Sequence, residues 1–333
     1  MYKDKSILIT GGTGSLGKEL TKYIFEFHPE IRRVIIFSRD EQKQFVMAQE
    51  YPIDKYPQIR FFVGDVRDKD RLSRALNGVD YVIHAAAMKH VHIAEYNPDE
   101  CIKTNIGGAQ NVVSCSIDQN ISKVVALSTD KACALINLYG ATKLTSDKLF
   151  IAANKIKGNK PINFSVVRYG NVMGSNGSVI PFFINRKKLN NTLPITDPKM
   201  TRFNISLIDG VKLVFYALEN SIGGELFVPK IPSYKILDVA NAIGPNCEKP
   251  IIGIRPGEKI HEEMITSSDS FNTYDIGKYY VILPDDKKIK ENFEKNNKFK
   301  KVPLNFSYNS RDNEDWESVE SLRIKINSLG LNS

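Results

Sequence analysis

The sequence has few cysteines, a single tryptophan and no long hydrophobic run. Its four cysteines, Cys101, Cys115, Cys133 and Cys247, are scattered and form no C-x-x-C pair, which argues against a disulfide scaffold or a zinc ribbon. No stretch approaches the roughly 18 unbroken apolar residues that a membrane span needs, so we expect no membrane attachment. The first residues lead directly into a strand-like segment. We therefore expect no signal peptide and a reducing, cytoplasmic location.

Positively charged residues are in modest excess over negatively charged ones. Subtracting 38 Asp and Glu from 46 Lys and Arg leaves a formal net charge of +8. This excess favours anionic partners, but it does not choose between a nucleotide, a nucleic acid and a membrane surface. The basic run Arg186-Lys187-Lys188 has no interleaved aromatic residues, so nucleic acid is not an expected partner.

Two alternating periodicities organise the first 170 residues. Segments with helical spacing, such as the one from Pro98 to about Ile117, separate six short β-branched runs that predict strands. These runs are Ser6–Thr10, Arg33–Ser38, Arg60–Val63, Tyr81–Ala85, Lys123–Ser128 and Asn163–Arg168. Such alternation predicts an α/β fold with a Rossmann-like, doubly wound parallel sheet whose two faces are both covered by helices.

A glycine-rich turn follows the first strand. Residues 10–17 read T-G-G-T-G-S-L-G, which has the spacing T-G-x-x-G-x-x-G directly before a helical pattern. Glycines let the backbone turn sharply and approach a pyrophosphate, and the following helix start offers free amides and a positive dipole. Alone, the glycines would indicate only a tight turn. Between a strand and a helix they predict a dinucleotide site, with contacts from Gly11, Thr13, Gly14, Ser15, Leu16 and Gly17.

The end of the second strand bears on the choice between NAD and NADP. An acidic residue there would bind the ribose 2′-hydroxyl of NAD, but this sequence has Ser38-Arg39-Asp40, with Lys43 one turn later. Ser38 can hydrogen-bond a 2′-phosphate, and Arg39 and Lys43 can offset its charge, so we predict NADP. The alternative is a solvated Arg39 beside a helix cap, Asp40. Further predicted cofactor contacts are Asp65, Val66, Ala85, Ala86 and Ala87.

A tyrosine and a lysine open the helix that follows the fifth strand. Tyr139 and Lys143 stand at i and i+4, so they share one helix face. A nearby cation lowers a tyrosine pKa from about 10, which lets the phenol remove a proton from a sugar hydroxyl while a nicotinamide takes the hydride. These residues are therefore predicted to be catalytic and to contact the cofactor.

Three more candidates precede this pair. Thr129 could hydrogen-bond the same hydroxyl, and the adjacent acid and amine, Asp130 and Lys131, imply additional proton transfers. In a regular strand these two side chains would point to opposite faces, so they can act together only past the strand end. The alternative is an ordinary loop ion pair.

These motifs and their spacing resemble the extended short-chain dehydrogenase/reductase superfamily. Across nearly the whole chain, further stretches resemble its inverting UDP-N-acetylglucosamine 4,6-dehydratases, which are of the pseudaminic acid pathway type. The stretches include Ala85–Val91, Ala94–Pro98, Leu127–Ala132, Ile136–Lys143, Arg168–Val172, Pro194–Asp197, Met200–Phe203 and Ile254–Lys259. Retaining relatives carry Asp-Glu where this chain has Asp130-Lys131, and a related capsule-sugar branch carries Met in place of Tyr139. One departure is that relatives have a proline near Leu135.

The resemblance implies a reaction and the groups that perform it. UDP-N-acetylglucosamine would lose water with inversion at C5 through a 4-keto intermediate, giving UDP-2-acetamido-2,6-dideoxy-β-L-arabino-hex-4-ulose, while bound NADP moves a hydride internally. Lys131 would remove the C5 proton, if neutral, and Asp130, if protonated, would protonate the departing C6 hydroxyl. The resemblance also implies a homo-oligomer, which is a hexamer in some relatives.

The resemblance also assigns binding residues. Lys89 would lie where the cofactor meets the sugar, and Tyr169 would contact the cofactor. The substrate contacts would be Lys89, Asn171, Gly177, Ser178, Val179, Ile180, Thr196, Met200, Arg202, Arg255 and Glu258. Surface ion pairing is the alternative for Arg202 and Arg255. We therefore predict an NADP-binding Rossmann domain over 1–170 and a smaller mixed α/β substrate-binding lobe over 171–333, with segments of the lobe returning to the first domain.

Other interpretations remain open. One is another sugar-nucleotide epimerase or reductase of the same superfamily, and a second is a non-catalytic NADP-binding regulator, which would need neither Tyr139 nor Lys143. A metal site at His90, His92 and Glu95 is not predicted, because the histidines are only two residues apart and no second cluster accompanies them.

Overall fold

The computed structural model describes residues 1–175, 177–295 and 299–331. Its strands are β1 (Ser6–Thr10), β2 (Arg33–Ser38), β3 (Ile59–Val63), β4 (Tyr81–His84), β5 (Lys123–Thr129), β6 (Asn163–Tyr169), β7 (Asn171–Val172), β8 (Thr201–Ile205), β9 (Leu226–Pro229), β10 (Ser233–Lys235), β11 (Glu263–Ile265), β12 (Thr273–Asp275), β13 (Tyr279–Ile282), β14 (Lys300–Lys301) and β15 (Tyr308–Asn309). All six strands predicted for the first 170 residues are present, each with ends within one residue of the prediction.

The helices alternate with the first six strands and continue through the second half of the chain. The α-helices are α1 (Ser15–Phe27), α2 (Glu41–Glu50), α3 (Lys69–Ala75), α4 (Val91–Tyr96), α5 (Pro98–Ile102), α6 (Gly108–Asp118), α7 (Leu138–Ile156), α8 (Val179–Asn190), α9 (Leu207–Asn220), α10 (Ile236–Ile243), α11 (Lys287–Glu294) and α12 (Val319–Ser328). Among the residues that the structure describes, no helix is both long enough and apolar enough to cross a bilayer.

The main sheet has ten strands in the order β14-β12-β13-β9-β6-β5-β4-β1-β2-β3. Strands β3, β2, β1, β4, β5 and β6 are parallel neighbours, which is the order of a doubly wound dinucleotide fold. This confirms the predicted fold class. The remaining four strands come from the second half of the chain; β9 pairs parallel to β6, and β13, β12 and β14 continue antiparallel.

The core lies on both faces of this sheet. Every residue of β1 is buried, as are nearly all residues of β2, β5 and β6, which is why these strands are continuous apolar runs. Helix α1 packs beside α9, while α3 packs beside α6 and α6 beside α7, so the helices form two layers. The carboxyl ends of the parallel strands are therefore held at one common edge.

A second, smaller core lies beside the main sheet. Strands β10, β8 and β7 form a three-stranded sheet, and α8 and α12 both pack against α10. Phe183, Val239 and Leu322 are buried in this cluster. Helix α12 is capped by Ser318, whose hydroxyl accepts a hydrogen bond from the amide of Ser321 at 3.0 Å.

The segment from Pro98 to Asp118 differs from the single helix that the sequence predicts. Helices α5 and α6 are separated by a π-helical turn at Lys103–Gly107, which contains the buried Asn105. The Asn105 amide donates to the carbonyl of Met88 at 3.0 Å and to the hydroxyl of Thr142 at 3.0 Å. The extra backbone residue thus turns this side chain towards the loop after β4 and towards α7.

Candidate active site

The glycine-rich turn joins β1 to α1 at the carboxyl edge of the main sheet. Gly11 has φ 66°, and a Cβ there would lie 2.9 Å from the backbone nitrogen of Ala86, so only glycine fits. Helix α1 begins at Ser15 after Gly14, whose lack of a side chain leaves the first amides of the helix without a side-chain cap. Uncapped amides at a helix start favour an anion, as the sequence predicts for this turn.

The end of β2 lies next to this turn. The Ser38 hydroxyl is buried and accepts hydrogen bonds from the Thr13 hydroxyl and the Gln44 amide, both at 3.2 Å. Arg39 is exposed and lies 4.0 Å from Asp65, and the exposed Lys43 lies 2.8 Å from Asp40. Asp40 also caps α2, as the alternative interpretation predicts. Because exposed ion pairs are weak, both cations can turn towards a phosphate bound beside Ser38.

A 3₁₀ turn at Asp130–Ala132 follows β5 and brings the predicted acid and amine together. The Lys131 ammonium donates to Asp130 Oδ1 at 3.0 Å, and the Thr129 hydroxyl donates to the same oxygen at 3.0 Å. The strand therefore ends just before the pair, so the two side chains do not point to opposite faces. Asp130 is fully buried, and its Oδ2 has no hydrogen-bond partner within the described ranges.

The charges of this pair stabilise each other. Burial raises the pKa of Asp130, and the Lys131 ammonium only partly opposes the effect. Burial by itself lowers the pKa of Lys131, but the carboxylates of Asp130 and Glu262 outweigh it, so the pKa of Lys131 is raised. A protonated Asp130 agrees with the sequence analysis. A Lys131 that is neutral by its own pKa does not, because the pKa of this amine is raised.

Helix α7 carries the predicted Tyr139 and Lys143, both of which are buried. Burial raises the pKa of Tyr139 to about 12, while the Lys131 ammonium and a hydrogen bond with Thr129 act in the opposite direction. Burial also lowers the pKa of Lys143. A cation does act to lower the tyrosine pKa as the sequence predicts, but the cation is Lys131 and not Lys143, and burial is the larger effect, so the predicted net lowering is wrong.

Close packing explains how α7 and the 3₁₀ turn share one site. A Cβ on Gly140 would lie 2.1 Å from the backbone carbonyl oxygen of Lys131, so the first turn of α7 is in direct contact with the 3₁₀ turn. The side chain of Asn137 caps α7 by accepting from the Gly140 amide at 2.7 Å. Its amide also donates to the Gly257 carbonyl at 2.8 Å, which joins the site to the second half of the chain.

The structure places a glutamate in this site that the sequence analysis missed. Glu262 is buried, and its Oε1 lies 3.3 Å from Lys131 Nζ and 3.6 Å from Arg202 Nε. Its Oε2 lies 3.6 Å from Lys259 Nζ. The only signal in the sequence is its position, three residues after the stretch that ends at Lys259 and carries the resemblance.

His84, at the end of β4, was also missed. Its Nδ1 lies 2.8 Å from the Thr10 hydroxyl oxygen, which accepts a hydrogen bond from the Ala86 amide at 3.2 Å. Burial lowers the pKa of His84 to about 3, with Lys143 acting in the same direction. The imidazole is therefore neutral, and it fixes the end of β1 beside that of β4.

The residues predicted to bind the substrate are only partly brought together. Arg202 is buried and donates to the Thr201 carbonyl at 2.7 Å, so the surface-pair alternative is wrong for this residue. Arg255 remains half-exposed, 3.9 Å from Glu258. Three of the predicted substrate contacts each have a buried polar atom without a hydrogen-bond partner in the part of the chain that the structure describes, and such atoms are suited to a ligand; they are Asn171 Oδ1, Ser178 Oγ and Glu258 Oε2.

Other predicted contacts lie around this group. A Cβ on Gly177 would approach the His90 ring to 2.5 Å, and Val179 and Ile180 begin α8. The sulfur of Met200 lies 3.2 Å from Arg202 Nη2, whereas Thr196 lies in the segment between α8 and β8. Tyr169 pairs with Thr129 across β6 and β5, so it lies at the same strand ends. Burial lowers the pKa of Lys89.

Comparison with known proteins gives the family. Residues 7–284 match the model of the family described as "Polysaccharide biosynthesis protein". A protein of Campylobacter jejuni subsp. jejuni serotype O:2, named UDP-N-acetylglucosamine 4,6-dehydratase (inverting), is 56% identical to this chain, and the match covers 98% of each. A protein of Rickettsia canadensis named UDP-glucose 4-epimerase is 41% identical, covering 98% of this chain and 97% of the relative.

A solved structure agrees with this assignment. The X-ray structure of Pen from Bacillus thuringiensis superposes with a TM-score of 0.90 at 37% identity, and the superposition covers 99% of each chain. The sequence similarity and the fold thus extend over the whole described site as well as the sheet. The chain belongs to the polysaccharide biosynthesis protein family, in the group that contains the inverting UDP-N-acetylglucosamine 4,6-dehydratases.

Proposed function

We propose that this protein is a UDP-N-acetylglucosamine 4,6-dehydratase that inverts the configuration at C5. The observation that carries the proposal is the buried Asp130–Lys131 pair, which lies past the end of β5 and beside the first turn of α7. An epimerase or a reductase needs only a hydroxyl, a tyrosine and a lysine at this position. An additional acid and amine with a shared proton suit the elimination of water.

The residues at the carboxyl edge fit a nicotinamide dinucleotide. The crowded Gly11 and the uncapped start of α1 suit the pyrophosphate, and Ser38, Arg39 and Lys43 suit the 2′-phosphate of NADP. Asp65, Val66 and the alanines 85–87 border the same edge. When bound, the oxidised cofactor supplies a hydride acceptor and a positive ring that favours the phenolate of Tyr139.

Tyr139 is the base for the first proton transfer in this proposal. Its phenolic oxygen takes the proton of the C4 hydroxyl, while Thr129 hydrogen-bonds to that hydroxyl. The pKa of about 12 keeps the phenol protonated at neutral pH, and the positive ring of the oxidised cofactor would favour its ionisation. The Lys131 ammonium acts to lower the pKa of this phenol, and Lys143 lies one helical turn further along α7. The product of this step is a ketone at C4, which makes the C5 proton acidic.

The Asp130–Lys131 pair performs the elimination. Moving one proton across the 3.0 Å hydrogen bond converts the carboxylate and ammonium into a neutral acid and a neutral amine without exchange with solvent. Lys131 Nζ then takes the C5 proton, and Asp130 gives its proton to the C6 hydroxyl, which leaves as water. The pair returns to its ionic form, and a double bond is left between C5 and C6. The hydride taken from C4 would then be returned to C6, and a proton added to C5 from the opposite face gives inversion.

Incubating the purified protein with UDP-N-acetylglucosamine in heavy water tests the proposal. We expect a product that has lost one water, carries one solvent deuterium at C5 and has the L-arabino configuration, as measured by mass spectrometry and NMR. Isomerisation without loss of water would identify an epimerase instead, and UDP-glucose is the parallel substrate because the Rickettsia relative carries that name. No turnover of either substrate would favour the non-catalytic regulator.

The preference for NADP is tested by Arg39→Ala. Losing a charge-assisted contact to the 2′-phosphate is expected to weaken NADP binding by about tenfold or more. NAD binding should change little, because NAD has no phosphate at this position. Titration of both cofactors by calorimetry measures the difference. An equal loss for the two cofactors would show that Arg39 does not read the 2′-phosphate.

The assembly and the pathway are implied by the resemblance, and the location by the scattered cysteines. We propose a cytoplasmic homo-oligomer whose product enters a pathway of the pseudaminic acid type. All four cysteines are free buried thiols, which suits a reducing compartment.

A further inference from the structure

The reactive pair belongs to a buried cluster of five charged side chains. The acids Asp130 and Glu262 alternate with the cations Lys131, Arg202 and Lys259, and each of the five side chains is at least three-quarters buried. Glu262 is the centre of this arrangement, because it faces all three cations at 3.3–3.6 Å. It is also the one member of the cluster that contacts Lys131 from the second half of the chain.

The backbone holds the Glu262 carboxylate in place. Its amide donates to the Ser310 hydroxyl at 2.9 Å, and its carbonyl accepts from the Ser310 amide at 2.7 Å. Lys259 donates a hydrogen bond to the carbonyl of Cys133, the residue that ends the 3₁₀ turn. The cluster therefore joins the turn that carries Asp130 and Lys131 to β11 and the residues before it. Glu262 Oε2 has no hydrogen-bond partner within the described residues, and the cation that faces this oxygen is Lys259 at 3.6 Å.

We propose that Glu262 is a positioning residue that keeps one shared proton on the Asp130–Lys131 pair and holds the Lys131 amine in reach of the substrate. This inference rests on the proposed dehydratase function. The pair has the same net charge whether the proton is on Asp130 or on Lys131, so what the reaction requires is one proton in total. A pair with two protons has no base, and a pair with none has no acid.

The sign of the effect follows from charge alone. A carboxylate favours the protonated form of any neighbouring group, and Glu262 accordingly raises the pKa of Asp130 and that of Lys131. Arg202 acts in the opposite direction on Lys131, and the buried phenol of Tyr139 also interacts with both members of the pair. Lys259 is balanced by Glu262, and Tyr234, His261 and Glu263 are further titratable groups that interact with members of the cluster. Activity should therefore fall at an acidic and at an alkaline pH limit, and Glu262 should raise the pH of both limits.

The test is the pH dependence of dehydration by Glu262→Gln. Removing the negative charge should move both limits to lower pH by about one unit or more, because Arg202 and Lys259 then lack their counter-charge. The variant gains relative activity on the acidic side and loses it on the alkaline side. Glu262→Asp keeps the charge and should restore both limits, even if the shorter side chain lowers kcat. Glu263→Gln is the matched control, since it removes the same charge from the next residue, which interacts with Lys259 but not with Asp130 or Lys131.

A second variant, which should shift both pH limits in the opposite direction, distinguishes the proposed effect from a folding defect. Lys259→Met removes a positive charge next to Glu262 and should move both limits to higher pH, which a general loss of structure would not do. Lower kcat with unchanged limits in both Glu262→Gln and Lys259→Met would overturn the proposal. Absence of dehydration in the wild-type protein would instead refute the proposed function, so the two failures are distinguishable.

Discussion

The Lys131→Ala variant is expected to lose dehydration of UDP-N-acetylglucosamine by at least about 10²–10⁴-fold, the usual contribution of one proton-transfer group. The amine that accepts the C5 proton is gone, and Asp130 loses the ammonium that donates a hydrogen bond to it. Cofactor binding should persist, because the glycine turn and Ser38 lie on other strands. Mass spectrometry of the product and calorimetric titration with NADP measure the two outcomes separately.

Lys131→Arg separates the chemical role of this residue from its structural role. In the wild-type protein Lys131 lies between two buried carboxylates, so alanine leaves Asp130 and Glu262 without their common cation. Arginine keeps that positive charge, but a guanidinium does not lose its proton in proteins and so cannot act as the base. Lys131→Arg should therefore fold normally and be as inactive as Lys131→Ala. Turnover close to wild type in Lys131→Arg would remove Lys131 from the mechanism.

Tyr139→Phe should reduce the reaction by about 10²–10⁴-fold at an earlier step. Without the phenol, the C4 hydroxyl keeps its proton and the ketone that acidifies C5 does not form. The two variants are thus expected to differ in an observable way. Substrate added to Lys131→Ala should still produce the absorbance of a reduced nicotinamide, whereas substrate added to Tyr139→Phe should not.

Tyr81→Phe is the matched control for this comparison. Tyr81 is also buried, but it is the first residue of β4 and lies at the opposite edge of the sheet. Removing its hydroxyl should leave both the reduced-nicotinamide absorbance and the overall rate near wild type. A fast appearance of reduced nicotinamide in Tyr139→Phe would show that another group takes the hydroxyl proton.

The parallel half of the sheet was predictable because its signals are local. Ser6–Thr10 is a continuous apolar run followed at once by glycines, and the structure places the end of this strand directly beside Ala86. The π-helical turn at Lys103–Gly107 was not predictable, since the apolar spacing from Pro98 onwards is that of one helix. What interrupts the helix is a set of hydrogen bonds from Asn105 to residues far away in the chain.

The pKa of Tyr139 is another property that local sequence could not predict. The sequence places a lysine four residues away, and charge alone would lower the tyrosine pKa. The folded protein buries the phenol and brings Lys131, not Lys143, into the dominant charge interaction, so the pKa rises to about 12. Burial depends on everything packed around a side chain, which a one-dimensional spacing does not contain.

By itself, the sequence determined the six parallel strands, the phosphate-binding turn, and the adjacency of an acid and an amine ahead of a Tyr–Lys pair, because backbone conformation and hydrophobic period depend on near neighbours. Only the tertiary structure decided that Glu262 lies between Lys131 and the cations Arg202 and Lys259, and that Lys131 donates a hydrogen bond to Asp130 in a buried site. These contacts join segments remote in sequence, and electrostatic effects in a buried site depend on distance in space and exclusion of water.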